Sequence, residues 1–331
     1  MAKKTKDDTK TKGSKRKARC YLGIDVSGPR RGLFRATIRI GAKNAWRLEG
    51  LEQFANRAEL ERVAWSTPEG MEQVREWVSQ GRRGLTSLAE ATADDCQAVS
   101  DEICGVLEKV GPEKVFVDAP AAFARNSVSH GRATEKANLP RARFEFVRQI
   151  PFQVTPTIAT GMSHGGLWNW IIRGMMVFYA VRAGGKFDAE GWKEYLHQGC
   201  KAAPGDGPPA IECMPTATVL SLRSSYRHKD RAMEIVRAIE AEDEYKAVRV
   251  LEIVRTYLES SVGSVKRQAQ LYDWADATVA ALGCLAYEFR DEFEPYRILG
   301  DHHDHWESSE RSIKSAQEQE GQVEVPIPVL G

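Results

Sequence analysis

No two of the six cysteines stand at CxxC spacing, no apolar run approaches the length of a membrane span, and the charges nearly cancel, at +1. Each absence excludes something. Without a close cysteine pair there is no thiolate zinc module. Cys20, Cys96, Cys104, Cys200, Cys213 and Cys284, several of them inside apolar stretches, read instead as reduced thiols of a cytoplasmic protein. Without roughly 20 consecutive apolar residues nothing crosses a bilayer. The basic start is not followed by an apolar stretch, so no secretory signal is expected. With so little net charge the whole molecule is not a polyelectrolyte.

The charge is unevenly placed, however. The opening "MAKKTKDDTKTKGSKRKAR" is dense in Lys and Arg, opposed only by Asp7 and Asp8, and has almost nothing apolar to bury. Residues 1–19 therefore read as a disordered basic arm. It is either a solubilising tail or a non-specific contact for nucleic-acid phosphates.

Over 331 residues, 42% of them hydrophobic, the rest can build a large core. "CYLGIDVSG" is a short apolar strand ending in Asp25 and a glycine turn. "RGLFRATIRI" and "AWRLEGLEQF" follow as further strands of an antiparallel meander. "TPEGMEQVREWVSQ" and "TADDCQAVSDEICGVLEKV" read as helices, the second capped by Thr92 and ended by Gly111. "EKVFVDAP" is a buried strand stopped by Pro120. A loop-rich stretch leads to the apolar helix "LWNWIIRGMMVFYAVRA". Then come a short strand through Ile211–Cys213, more helix, a buried helix from "YDWADATVAAL" to about Phe289, and "YRILG" as a last strand. Strands first in a meander and then alternating with helices give an α/β fold with a mixed sheet.

The acids fall at informative places. Asp25 and Asp118 end apolar strands, Glu212 lies on another, and Asp273 and Asp276 open the last buried helix, three apart and so on one side of it. A buried carboxylate is costly unless paired or bound to a cation. Taken singly, Asp118 could bond a turn N–H and Asp273 could be an N-cap. Taken together, five such acids are explained by one site for Mg²⁺ or Mn²⁺, which take oxygen ligands. Two ions about 4 Å apart support in-line attack at phosphorus, one activating water and the other stabilising the leaving oxygen.

"GIDVSG", "VFVDAP", "IECMPTAT" and "YDWADATVAAL" together resemble the RNase H-like nuclease superfamily. The last resembles the D-x-x-D-A helix of Holliday-junction resolvases of the RuvC type. The full set looks closer to a family of largely uncharacterised, predicted RNase H-like nucleases, and covers the chain from about Tyr21 to Phe289. The resemblance implies an RNase H-like mixed sheet flanked by helices, with a helical insertion around residues 124–205. It implies Asp25 as a central metal bridge, Asp118 as the second ligand, Asp273 and Asp276 as terminal-helix ligands, and Glu212 as a ligand or water-orienting group. Arg132 and Glu135 in "GRATEK" match an Arg-then-acid pattern of that family. With Lys229, they are the candidate substrate-binding residues.

The expectation is a nuclease domain over residues 20–299 and a polar tail over 300–331, in which His302, His303 and His305 are solvated. The expected activity is metal-dependent hydrolysis of nucleic-acid phosphodiester bonds, in DNA or RNA. Two alternatives stay open. One is a non-catalytic nucleic-acid-binding scaffold. The other is a phosphotransferase of the actin and sugar-kinase type, disfavoured because the later strands bring acids and proline rather than a second glycine-rich segment.

Overall fold

The computed structural model describes residues 18–27, 32–41, 46–54, 68–80, 82–119, 121, 166–213, 215–223, 226–238, 244–259, 269–289, 291, 293–299 and 322–328. The basic arm up to residue 17, Arg132, Glu135 and the histidines of the tail lie outside them.

Three strands open the chain: β1 (Arg19–Val26), β2 (Leu33–Ile40) and β3 (Trp46–Phe54). They pair as the antiparallel meander expected from their alternating pattern. Three helices follow, α1 (Pro68–Ser79), α2 (Arg82–Ala91) and α3 (Ala93–Val110), and the chain returns to the sheet as β4 (Lys114–Asp118), parallel to β1. After α4 (Gly166–Arg182) and α5 (Ala189–Gln198), β5 (Ala210–Glu212) lies parallel to β4. Four helices come next: α6 (Pro215–Leu222), α7 (Tyr226–Arg237), α8 (Glu244–Glu259) and α9 (Ala269–Ala281). A tight turn over Leu282–Cys284 leads into the short α10 (Leu285–Glu288).

The strand order β3-β2-β1-β4-β5, mixed and covered by helices, is that of RNase H-like folds. Two more strands extend the sheet beyond β5. They are β6 (Phe293–Leu299), which includes the expected last strand, and β7 (Gln322–Pro328). β7 lies between β5 and β6, parallel to the first and antiparallel to the second. The segment beyond residue 300, expected from its polarity to be a tail, thus ends in a strand of the sheet.

β1 lies between β2 of the meander and β4, its parallel neighbour. The interior residues of β1 and β4 are buried on both faces, as the unbroken apolar runs "YLGI" and "VFV" require. One face carries Leu22, Ile24, Val115 and Val117 and packs with α3, α4 and α5. The other carries Tyr21, Phe34, Phe116 and Ile211 and packs with α9, behind which lie α6 and α8. The last helix lacks a polar face because it is sandwiched: Ala275, Ala277, Val279, Ala280 and Ala281 are all fully buried. No helix among the described residues is long and apolar enough to cross a membrane.

Thr92 stands at the N-cap position of α3, as expected, and its carbonyl accepts from Cys96 N, but its side chain makes no capping bond. Helix α2 runs to Ala91, and the Thr92 hydroxyl donates backwards to Leu88 O at 2.7 Å while accepting from Trp192 Nε1 at 3.0 Å. A buried indole N–H needs an acceptor, and that need outweighs capping. Gly111 does end α3, in the left-handed conformation at φ 57°, its N–H bonding Leu107 O. Cys20, Cys96, Cys213 and Cys284 are buried free thiols.

Candidate active site

The acids gather where β1, β4 and β5 end, on the carboxyl side of the parallel part of the sheet. Asp25 and Asp118 are register partners across β1 and β4, so their side chains leave the same face, toward α9. Gly23 lies two residues before Asp25 on that face. A Cβ there would stand 2.0 Å from Ala277 O and 2.5 Å from Ala281 N. The missing side chain lets α9 lie directly on β1. Asp273 is one helical turn before Ala277. That contact therefore sets Asp273 and Asp276 above the end of β1. Gly283 makes the same close approach to the Phe116 ring of β4, where its Cβ would come within 2.7 Å.

Asp273 falls in the interior of α9, a full turn past Ala269, because "AQLY" already forms helix. It is not an N-cap. It is buried, and Asp276 is half-buried.

Electrostatics tie four of the five acids to one another. Burial raises the Asp25 carboxyl well above the usual range, and the negative charges of Asp118, Asp276 and Asp273 raise it further. The Ser27 hydroxyl, donating to Asp25 Oδ2 at 2.7 Å, works the other way. Burial also pushes Asp118 up to about 7, opposed by its side-chain hydrogen bond with Asp25. Two carboxyl groups can hydrogen-bond only by holding a proton between them, so in the metal-free protein this pair is partly neutralised.

Glu212 is placed differently. Its register partner is Val117, not Asp118. Side chains alternate along a strand, so Glu212 starts from the opposite face of the sheet. There its Oε2 accepts from Ala121 N–H at 3.1 Å, while Oε1 is buried with no hydrogen-bond partner. Burial raises its carboxyl to about 8 against that N–H bond, and the Asp118 charge adds to the rise. The acids thus converge as a charge cluster. Even so, among the described residues no three Asp, Glu, His or Cys side chains are arranged to hold one metal ion together.

Lys229 sits near the start of α7, which packs on β3, α6 and α8.

Two residues at this end of the sheet carry little signal in the sequence. Ser27 looks there like part of a glycine turn and nothing more. Arg173 stands in the middle of α4, the one charged residue of that helix before Arg182. It is only 2% exposed, and its Nη1 donates to Ser27 O at 2.9 Å. Burial lowers its pKa to about 10, and the charges of Asp25 and Asp95 resist that drop. A lone cation inside an apolar helix is the signal that could have found it.

The donor set suits a hard divalent cation in kind. All five groups are carboxylates, the pair at its centre repels unless a proton or cation lies between, and one buried oxygen of Glu212 lacks a partner. Comparison of the chain with known protein families, with curated proteins and with solved structures finds no match.

Proposed function

We propose that this protein is a metal-dependent nuclease that hydrolyses phosphodiester bonds of DNA or RNA. The observation that carries the reading is the register pairing of Asp25 with Asp118 beneath the acid-bearing turn of α9. Buried acids placed together raise one another's pKa, and such perturbed groups mark functional sites. The motif resemblance to RNase H-like nucleases points the same way.

Asp25 and Asp118, with Asp273 and Asp276 from α9, would hold Mg²⁺ or Mn²⁺. Such an ion would supply water activation and would neutralise charge developing on the leaving oxygen. The protein's own groups do the rest. Ser27 fixes the rotamer of Asp25 through the bond to Oδ2. Ala121 N–H fixes one oxygen of Glu212 and leaves the other for a proton or a water. In its protonated form, below about pH 8, Glu212 is an acid that can donate. The starting face of Glu212 favours this water- or proton-handling role over direct ligation beside Asp118.

A second reading has an observation of its own. Among the described residues no three acids meet around one point, as would suit a scaffold that binds nucleic acid without cutting it. One experiment separates them: purified full chain with end-labelled DNA and RNA panels in Mg²⁺, Mn²⁺ or EDTA, beside Asp25→Asn. Cleavage that needs metal and is lost in the variant supports the nuclease. Binding without cleavage in every metal supports the scaffold and ends the catalytic reading.

A further inference from the structure

Arg173 is not accounted for by the acids alone. Its guanidinium carries five N–H donors in a planar fork. Nη1 is engaged by Ser27 O. Nε and Nη2 are buried and have no hydrogen-bond partner among the described residues. These two atoms form the side-on edge of the fork, the edge that takes two acceptor oxygens at once. Leaving such donors unmet inside a protein is unfavourable. The cation is also tied to the acid cluster by a short path. Arg173 donates to the Ser27 carbonyl, and the Ser27 hydroxyl donates to Asp25.

The charges of Asp25 and Asp95 act on Arg173, yet neither of these donors bonds a carboxylate among the described residues, so the pairing is electrostatic and the buried edge of the fork is left unpaired. An acid cluster repels an anionic substrate, and a cation is needed on the anion's path. We propose that the Nε–Nη2 edge of Arg173 recognises the phosphate of the nucleic-acid substrate, gripping two non-bridging oxygens at the Ser27–Asp25 end of the acid cluster. The proposal rests on the nuclease reading above. It adds the residue that distinguishes a phosphate from any other group brought to the metal.

The test uses the full chain, Mn²⁺ and thymidine 5′-monophosphate as probe, with thymidine as the phosphate-free control. Mn²⁺ binding is measured first, by electron paramagnetic resonance. Nucleotide binding to the Mn²⁺-loaded protein is measured by calorimetry. R173M keeps much of the side-chain length and removes the donors and the charge. It should bind Mn²⁺ at least as tightly as wild type, because a neighbouring cation is gone. It should bind the monophosphate about tenfold more weakly, the loss expected for charged hydrogen bonds. Thymidine should bind both proteins alike.

R173K restores charge without the fork and should fall between. If R173M takes up the monophosphate within twofold of wild type, Arg173 is a structural counter-ion and the proposal fails while the nuclease reading stands. If wild type binds no Mn²⁺, the nuclease reading falls and takes this inference with it. Should R173M not fold, R173K decides the matter, and undiminished phosphate affinity in it would overturn the fork.

Discussion

Glu212→Gln offers the sharpest test of the buried acids. The change keeps the side-chain volume and an oxygen to accept from Ala121 N–H, and removes only the ability to ionise. The group is 3% exposed, so solvent screening does little for it. In the metal-free folded protein its carboxyl holds a proton up to about pH 8, whereas an ordinary glutamate releases it near 4.5. The folded form binds the proton more tightly, so the unfolded chain releases it first. Wild-type stability is then undiminished by this group below pH 4.5. It declines as pH rises from there and levels off once pH passes about 8. At about 1.4 kcal/mol per pH unit, that window corresponds to a ceiling of roughly 5 kcal/mol. Relaxation of the site and proton sharing with its neighbours lower it, and roughly 2–3 kcal/mol is the working figure.

Urea unfolding of the two proteins in EDTA at pH 4, 7 and 9 reads this directly. E212Q should match wild type at pH 4 and exceed it by roughly 2–3 kcal/mol at pH 9. Mn²⁺ at pH 8 should then narrow or reverse the gap, because it relieves the charge cluster only where the charge exists. A variant less stable than wild type at pH 9, or a gap that does not change with pH, would refute the argument that Glu212 is a strained buried acid.

Other expectations follow from the same geometry. Gly23→Ala places a methyl 2.0 Å from Ala277 O, and should cost roughly 2–3 kcal/mol in urea unfolding and weaken Mn²⁺ binding as α9 is pushed off β1; an unchanged midpoint would deny the close approach. Asp276→Asn should hold or raise the metal-free melting temperature while lowering Mn²⁺ affinity and cleavage together; a variant that loses stability yet cuts normally would remove Asp276 from the site. Thr92→Val strips the buried Trp192 Nε1 of its acceptor and should cost about 1–3 kcal/mol, with Thr92→Ser close to wild type; a loss in Thr92→Ser with Thr92→Val unchanged would show that the methyl, not the hydroxyl, matters.

How much of this is legible in the sequence depends on how far apart the partners lie. The strands and the buried helix show in local patterns, and an acid at the end of an apolar run is conspicuous wherever it falls. That is enough to nominate Asp25, Asp118, Glu212, Asp273 and Asp276 as one group. The side of the sheet from which each acid leaves is a different kind of fact. It depends on register between strands, and a slip of one residue reverses it. "VFVD" and "AIEC" are each compatible with either registration, so the offset of Glu212 against Val117 is invisible until the strands are paired. Thr92 misleads for a similar reason, since Trp192, a hundred positions away, claims its hydroxyl. Arg173 is the furthest case. Its bond to Ser27 spans 146 positions, and neither residue looks unusual beside its own neighbours except that a cation interrupts an apolar helix. The charges of Asp25 and Asp95 oppose the cost of burying the guanidinium there. Its Nε–Nη2 edge is nonetheless buried without a hydrogen-bond partner, and on the proposed reading that cationic edge offsets the repulsion an acid cluster would exert on an anionic substrate.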